Sequence, residues 1–426
     1  MMRTKSWPDL GRRRFIHCSL CSSMAGASIA STLAGCSDDE PLGMPSPDAS
    51  PDAGGPDSAA DATPDATGPE CTDPFANGTM LGAVPFINED IPLNQRLGQG
   101  WDGRLYTDLS NLDGTNFVVN NDEFYIRTFY PDRLVPPADW TIQVGGLVDG
   151  PASIRLADLL PQVVDQGVHV LECSGNGPRG GFGLMSSAQW AGIPIMDVLD
   201  RIQIQPAATR VLISGFDDHS VPSAGNHSTP GAAWIFTFEE LAAAGAFLAT
   251  EMNGVPLPPD HGDPVRLYVP GWYGCTCIKW VNEIRLVDDD EPATSQMMEF
   301  ATRTHQTAIH ALARDYLPAS MDQAAMPIRV EKWNVEGQIV YRLVGVMWGG
   351  YEPTSALGFS SGRGDFTLVD TCPPQTQNAT WTMWQHAWRP SAVGEYRLLL
   401  SVDDPAIPTR RLDSGFYARE VFIDEV

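Results

Sequence analysis

Leu171-Glu172-Cys173-Ser174-Gly175-Asn176-Gly177 decides how this chain is read. An apolar, strand-like stretch carrying Val168, Val170 and Leu171 stops abruptly in a small-residue, glycine-rich loop with one thiol. A rigid strand end fixes the thiol, and the glycines let a bulky group come close to the backbone. Thiolate is the ligand a soft metal centre selects, and one cysteine suffices if a cofactor brings further sulfurs. The heptapeptide alone fits a buried, inert cysteine equally well. The glycines from Gly175 to Gly183 also suggest a nucleotide loop, but no Lys-Ser or Lys-Thr follows them.

The surrounding blocks separate these readings. After the loop comes Ser187-Ala188-Gln189-Trp190-Ala191-Gly192-Ile193-Pro194, then Asp197-Val198-Leu199. Upstream stands Phe124-Tyr125-Ile126-Arg127. Downstream are Glu251-Met252-Asn253-Gly254, Leu257-Pro258-Pro259 and His261-Gly262-Asp263-Pro264-Val265-Arg266. Val269-Pro270-Gly271-Trp272-Tyr273-Gly274 follows and runs to Lys279-Trp280. Trp348, the Trp381-x-x-Trp384 pair and Gly394-Glu395-Tyr396 come last. In this order, over roughly residues 80–426, the blocks resemble the sulfite oxidase family of molybdopterin-dependent oxidoreductases.

The resemblance implies an α+β sulfite-oxidase-type molybdopterin domain followed by an all-β, immunoglobulin-like dimerisation domain. It implies one molybdenum held by the dithiolene of a single pyranopterin and by Cys173. Carried over by position, Arg127 lies near the metal, and Asp217, in Gly215-Phe216-Asp217, is an acidic pterin contact. His261 and Arg266 bind pterin and phosphate, and Cys277, Ile278 and Lys279 supply the contacts that follow. Arg127 and Arg179 are the expected catalytic cations for a small oxyanion. The chain departs from the family pattern at three places. Pro178 stands where an arginine follows the Gly-Asn-x of the cysteine loop, which displaces Arg179 by one position. Phe129 replaces a histidine, and Gly231-Ala232-Ala233-Trp234 stands where a substrate tyrosine is expected. Arg410, Arg411 and Arg419 are candidates for a further cation.

The chain has 426 residues, 27 basic against 53 acidic, for a net charge of −26. That length accommodates two domains with real cores, and that charge excludes nucleic acid as a partner. Residues 1–36 read as a targeting segment. Arg12-Arg13-Arg14-Phe15-Ile16 fits a twin-arginine pattern, and Leu33-Ala34-Gly35-Cys36 a lipobox whose cysteine is lipidated. The stretch between is too rich in Ser, Gly and Ala to span a bilayer well. Residues 37–70, made largely of Pro, Asp, Ala, Ser and Gly, cannot bury enough surface to offset chain entropy and read as a spacer. The expected location is therefore periplasmic or cell-envelope, with a lipid tether at Cys36.

Five cysteines remain: Cys71, Cys173, Cys275, Cys277 and Cys372. An odd number fits one ligand thiol plus disulfide candidates in an exported protein. No Cys-x-x-Cys-His occurs, so electrons are expected to pass to a separate cytochrome.

The catalytic domain is expected over 71–291, and a connector helix with the β domain over 292–426. Thr141 to Val144, Arg210 to Ile213 and Val265 to Val269 read as strands, and Ile154 to Leu160, Ile195 to Ile202 and Phe238 to Ala246 as helices. Short β runs at regular spacing after about residue 320 read as a sandwich. Trp348, Trp381 and Trp384 exceed what such a sandwich usually buries alone, which predicts a homodimer. The favoured function is sulfite oxidation, or oxidation of a similar small oxyanion. The alternatives are a methionine-sulfoxide-type reductase, towards which Phe129 and Trp234 lean, and a non-enzymatic lipid-anchored binding protein.

Overall fold

The computed structural model describes residues 73–113, 117–130, 139–150, 152–216, 232–350, 354–362, 365–371 and 380–426. The targeting segment and spacer, with Cys36, Cys71, Asp217 and Cys372, lie outside the described residues.

The stretch before the thiol is the strand Val164–Glu172, antiparallel to Met185–Pro194, with Glu172 opposite Met185. Met185–Pro194 pairs in turn with Phe247–Met252, which also carries Val255–Pro256 and Arg266–Tyr268. Cys173 thus leaves the end of one strand of this sheet, and Arg266 starts another. Trp190, Ile193, Leu248 and Tyr268 are fully buried in it, each worth about 1.5–3 kcal/mol of transfer free energy. A second sheet runs Ala233–Thr237, Arg210–Gly215, Val281–Val287, Thr141–Gly146, Ala152–Arg155. Val281–Val287 begins directly after Trp280, so this sheet fixes the Lys279-Trp280 turn. A small ladder of Arg96–Leu97, Arg104–Leu105 and Ile126–Arg127 sets Arg104 opposite Arg127.

The C-terminal part forms two antiparallel sheets. One contains Thr79–Val84, Ala324–Val335, Gln338–Trp348, Thr382–Trp388 and Asp370–Thr371. The other contains Thr367–Leu368, Leu357–Ser360, Gly394–Val402 and Arg419–Ile423. The strand expectations hold here, but Thr79–Val84 joins this part rather than the catalytic one and covers an edge of Ala324–Val335.

Helix is scarcer than the α+β expectation. Among the described residues the α-helices are Ile195–Leu199, Phe238–Ala243, Ser295–Phe300 and Arg410–Asp413. Phe238–Ala243 is closed by a capping box: Thr237 Oγ1 accepts from Glu240 N, and Glu240 Oε2 from Thr237 N. The helix expected at Ile154 to Leu160 is instead the end of strand Ala152–Arg155 and a 3-10 turn, Leu156–Asp158. Pairing of Ile154 with Ile142 overrides the local pattern. The connector is helical only over Ser295–Phe300 and the short turns Ala301–Arg303 and Ala313–Asp315. Trp348, Trp381 and Trp384 are all buried within one chain. They form core, not an exposed dimer face.

Candidate functional site

A cleft enclosing about 890 Å³ of empty space, its mouth included, opens at the strand end that carries Cys173. Its wall brings together Arg127, Cys173, His261, Arg266, Cys277, Ile278 and Lys279, residues spread over more than 150 positions of sequence.

Cys173 is only 8 % exposed. Its Sγ accepts from Gly175 N at 3.4 Å, and its amide donates to Leu184 O. The neighbouring Gly274 makes this approach possible. A methyl group there would lie 2.7 Å from Tyr125 Oη and 3.6 Å from Cys173 Cα, and Gly274 N donates to Glu172 O at 2.7 Å. Tyr125 also lines the cleft, and burial holds its hydroxyl protonated by pushing its pKa well up. Cys275 and Cys277 are buried free thiols, both pushed up by burial.

The opposite end of the cleft is cationic. Arg266 is 4 % exposed, with Nη1 donating to His261 O and Nη2 to Cys277 O, each at 3.0 Å. Its Nε is buried with no hydrogen-bond partner. A buried guanidinium whose hydrogen bonds go to neutral carbonyls calls for an anion. Lys279 Nζ donates to the carbonyls of Arg127, Thr128 and Asp260 at 3.2, 2.7 and 3.0 Å. It therefore ties the arginine strand to the histidine turn. His261 is pushed down to about 3, chiefly by burial and further by Lys279 and Arg266, so it is neutral. Its Nε2 lies 2.9 Å from Asn121 O, an acceptor only, so Nε2 carries the proton and Nδ1 offers a lone pair. The amides of Cys277 and Ile278 already donate to Gly274 O and Thr276 O. Those residues therefore serve as wall and as carbonyl acceptors rather than as amide donors.

Arg127 ends the short strand Ile126–Arg127, its Nη1 donating to Thr128 Oγ1 at 3.2 Å. Thr128 has φ +77°, a region that a β-branched residue rarely adopts, and the chain turns sharply there. Burial depresses the Arg127 pKa, while the Cys173 thiol is the largest influence in the other direction.

Arg179 is not brought to this wall. Pro178–Gly180 forms a 3-10 turn closed by Gly181 at φ +56°, Gly180 packs against the Tyr106 ring, and Arg179 is left exposed. The cleft wall carries aromatic side chains, Phe124, Tyr125, Trp280 and Phe300, but not the two that the sequence singled out. Trp234 lies buried in its sheet opposite Ile213, and Phe129 lies under Arg96, 4.0 Å from its guanidinium.

Of the C-terminal arginines, Arg410 pairs with Asp322 and Arg419 with Glu89, and Arg411 reaches the cysteine loop. Arg411 Nη2 donates to Ser174 O at 3.0 Å and Arg303 O at 2.6 Å, while Nη1 stands 3.6 Å from Glu172 Oε1. Glu172, 1 % exposed, accepts from Tyr417 Oη at 2.8 Å and Trp348 Nε1 at 2.9 Å. Burial is the largest influence on Arg411 and opposes its charge, but Glu172, Tyr417 and Tyr273 together outweigh it and the pKa is raised. The sequence carries no local signal for this clamp, because its partners lie 176 to 245 positions apart.

Comparison with known proteins agrees with this geometry. The family described as oxidoreductase molybdopterin binding domain matches residues 130–295. The mitochondrial sulfite oxidase of Rattus norvegicus is 27 % identical over 246 residues, 54 % of this chain and 42 % of that protein. The NADPH nitrate reductase of Beauveria bassiana is 30 % identical over 227 residues, 49 % of this chain and 24 % of that one. The chain thus spans less than half the length of either. The crystal structure of the sulfane dehydrogenase SoxCD from Paracoccus pantotrophus superposes with a TM-score of 0.56 at 18 % identity. That match covers 77 % of this chain and 86 % of that one, a likeness of fold.

The residues present fit a molybdopterin. Cys173 offers a soft ligand at one end, and the orphaned Arg266 Nε, Lys279 and neutral His261 suit a phosphorylated pterin at the other. Among the described residues no three His, Cys, Asp or Glu side chains gather into a metal cage.

Proposed function

We propose that this chain is a member of the sulfite oxidase family of molybdopterin-dependent oxidoreductases and acts there as an oxygen-atom-transfer enzyme on a small oxyanion, with sulfite foremost. The observation that carries the reading is one cleft lined at once by a buried thiol and by Arg127, Arg266 and Lys279. When bound, the molybdopterin supplies two-electron oxygen-atom-transfer chemistry. Cys173 would hold the metal; Arg266, Lys279 and His261 would hold the phosphate and pterin; Arg127 would orient the substrate.

The two kinds of curated relative, named for sulfite and for nitrate, share a small oxyanion as their chemistry. A sulfoxide would instead want an apolar, aromatic pocket; Phe124, Tyr125, Trp280 and Phe300 do line the cleft, but Arg127, Arg266 and Lys279 stand among them and favour an anion. We propose further that the chain is exported by the twin-arginine route, tethered at Cys36, and passes electrons to a separate cytochrome. The two C-terminal sheets, read as an immunoglobulin-like sandwich, would pair two copies. With the tryptophans buried, that contact falls to exposed apolar residues such as Met80, Leu81 and Phe422.

Metal analysis of the loaded enzyme followed by a steady-state screen with sulfite, nitrate and methionine sulfoxide tests the reading. Molybdenum near one per chain with turnover of sulfite is the expected result. Turnover of the sulfoxide alone would establish the reductase instead.

A further inference from the structure

We propose that Glu299 is the proton acceptor of the cleft, taking a proton from the water whose oxygen the product carries away. This rests on the oxygen-atom-transfer reading above. In the net reaction sulfite and water give sulfate, two protons and two electrons. One sulfur–oxygen bond forms, both O–H bonds of the water break, and the electrons leave for the separate redox partner. Glu299 receives the first proton, and the cleft mouth passes both to solvent.

The other groups of the wall are unsuited to this work. Arg127, Arg266 and Lys279 are donors with no lone pair to offer. Tyr125 keeps its own proton, because burial pushes its pKa well up. The Cys275 and Cys277 thiols are held neutral by burial in the same way, and Cys173 would hold the metal. His261, pushed down to about 3 by burial, is too weak a base. Among the described residues two carboxylates line the cleft, Asp260 and Glu299. Asp260 is committed elsewhere: Oδ2 accepts from Arg96 Nη1 and Oδ1 from Tyr130 N, each at 2.6 Å.

The helix Ser295–Phe300 carries Glu299 to its place. Thr294 caps it, Oγ1 accepting from Met297 N at 3.1 Å and donating to Ala233 O at 2.7 Å. Met297, 1 % exposed, anchors one side in the core. Gln296, Glu299 and Phe300, three and four positions apart, share the other side and all line the cleft. Gln296 Nε2 donates to Cys275 O, which ties this face to the segment beside the thiol. Glu299 Oε1 is buried, and the carboxylate acts on Arg127 in the same direction as the Cys173 thiol, against the larger effect of burial. A negative charge among cations opposes an incoming anion. Its presence in an oxyanion cleft therefore costs affinity, which a proton-transfer role offsets in rate.

The experiment uses the cofactor-loaded full chain as parent, Glu299→Gln, Glu299→Asp and Glu299→Ala. Molybdenum content, KM and kcat for sulfite, and the dissociation constant of inorganic sulfate by calorimetry are measured for each. Glu299→Gln should lower kcat about 100-fold, the lower range for a positioned acid–base group. It should bind sulfate at least as tightly as the parent, with molybdenum unchanged. Glu299→Asp should recover part of kcat, and added formate, a small carboxylate, should restore part of the turnover of Glu299→Ala. A loss of rate with a gain in anion affinity, reversed by an external base, is not the signature of a structural side chain. Parental kcat in Glu299→Gln overturns the proposal and leaves the oxyanion reading standing. So does loss of molybdenum in both Gln and Asp variants, which makes Glu299 a cofactor contact. A lowered kcat that formate does not restore, with sulfate bound more weakly, overturns it as well. A parent that turns over no oxyanion sinks both.

Discussion

At the scale of single residues, the thiol is placed by side chains that are missing. Gly274 packs against the Cys173 backbone with no room for a methyl beside Tyr125 Oη, whereas a methyl at Gly175 would meet Sγ at an ordinary 3.7 Å and only the end of the exposed Arg303 more closely. Gly274→Ala should therefore cost about 1–3 kcal/mol by overpacking against Tyr125 and should lower metal occupancy, read from urea midpoints and molybdenum content. Cys173→Ser should cost no more than about 1–3 kcal/mol of stability, the range for a hydroxyl buried in place of a thiol, and abolish metal retention. A serine variant that keeps its molybdenum would remove Cys173 as the ligand. Cys173, Arg127, His261, Arg266 and Lys279 were legible because each sits in a short, recognisable block. Arg411 was only one of three candidates, since its contact with Ser174 O spans 237 positions and leaves no local signal. Arg179 misled for the opposite reason: it stands in the recognisable loop, and the Pro178 turn points it away.

Elements tell a similar story at longer range. Strands with alternating or apolar runs were readable, and helices were overestimated where a strand partner was close. The pairing Ile142 opposite Ile154 is an example that no window around residue 154 contains. The most consequential contact between elements is Glu172, at the end of Val164–Glu172, gripped by Trp348, Arg411 and Tyr417 from the C-terminal part. Removing the charged partner of a buried carboxylate costs more than removing a neutral donor. Arg411→Met should lose about 3–5 kcal/mol, and Tyr417→Phe about 1.5–3 kcal/mol. Because both act on one oxygen, Oε1, the double variant should fall short of the sum in a double-mutant cycle. Simple additivity in urea denaturation would show that the two side chains act separately.

For the molecule as a whole, buried neutral histidines make stability depend on pH. Burial pushes His261 to about 3 and His305 to about 4, against an ordinary value of 6.5. Between pH 6.5 and 4 the unfolded chain therefore binds more protons than the folded one, so stability falls as pH falls. His261 alone should remove about 3 kcal/mol from the cofactor-free protein between pH 7 and 4, at about 1.4 kcal/mol per unit. His261→Gln should flatten that slope in urea titrations, and an unchanged slope would refute the assignment. The acid sequence, net −26, also gave no hint of the cationic cleft, because charge totals do not record where charges gather. The Glu172 clamp has a consequence in time as well as in space. Arg411 and Tyr417 reach Ser174 and Glu172 across 237 and 245 positions of sequence, so this grip on the thiol loop forms only after a long stretch of chain has been made. A nascent chain that has not yet released this far segment from the exit tunnel lacks the grip on Glu172 and Ser174, so metal loading should follow its synthesis rather than precede it.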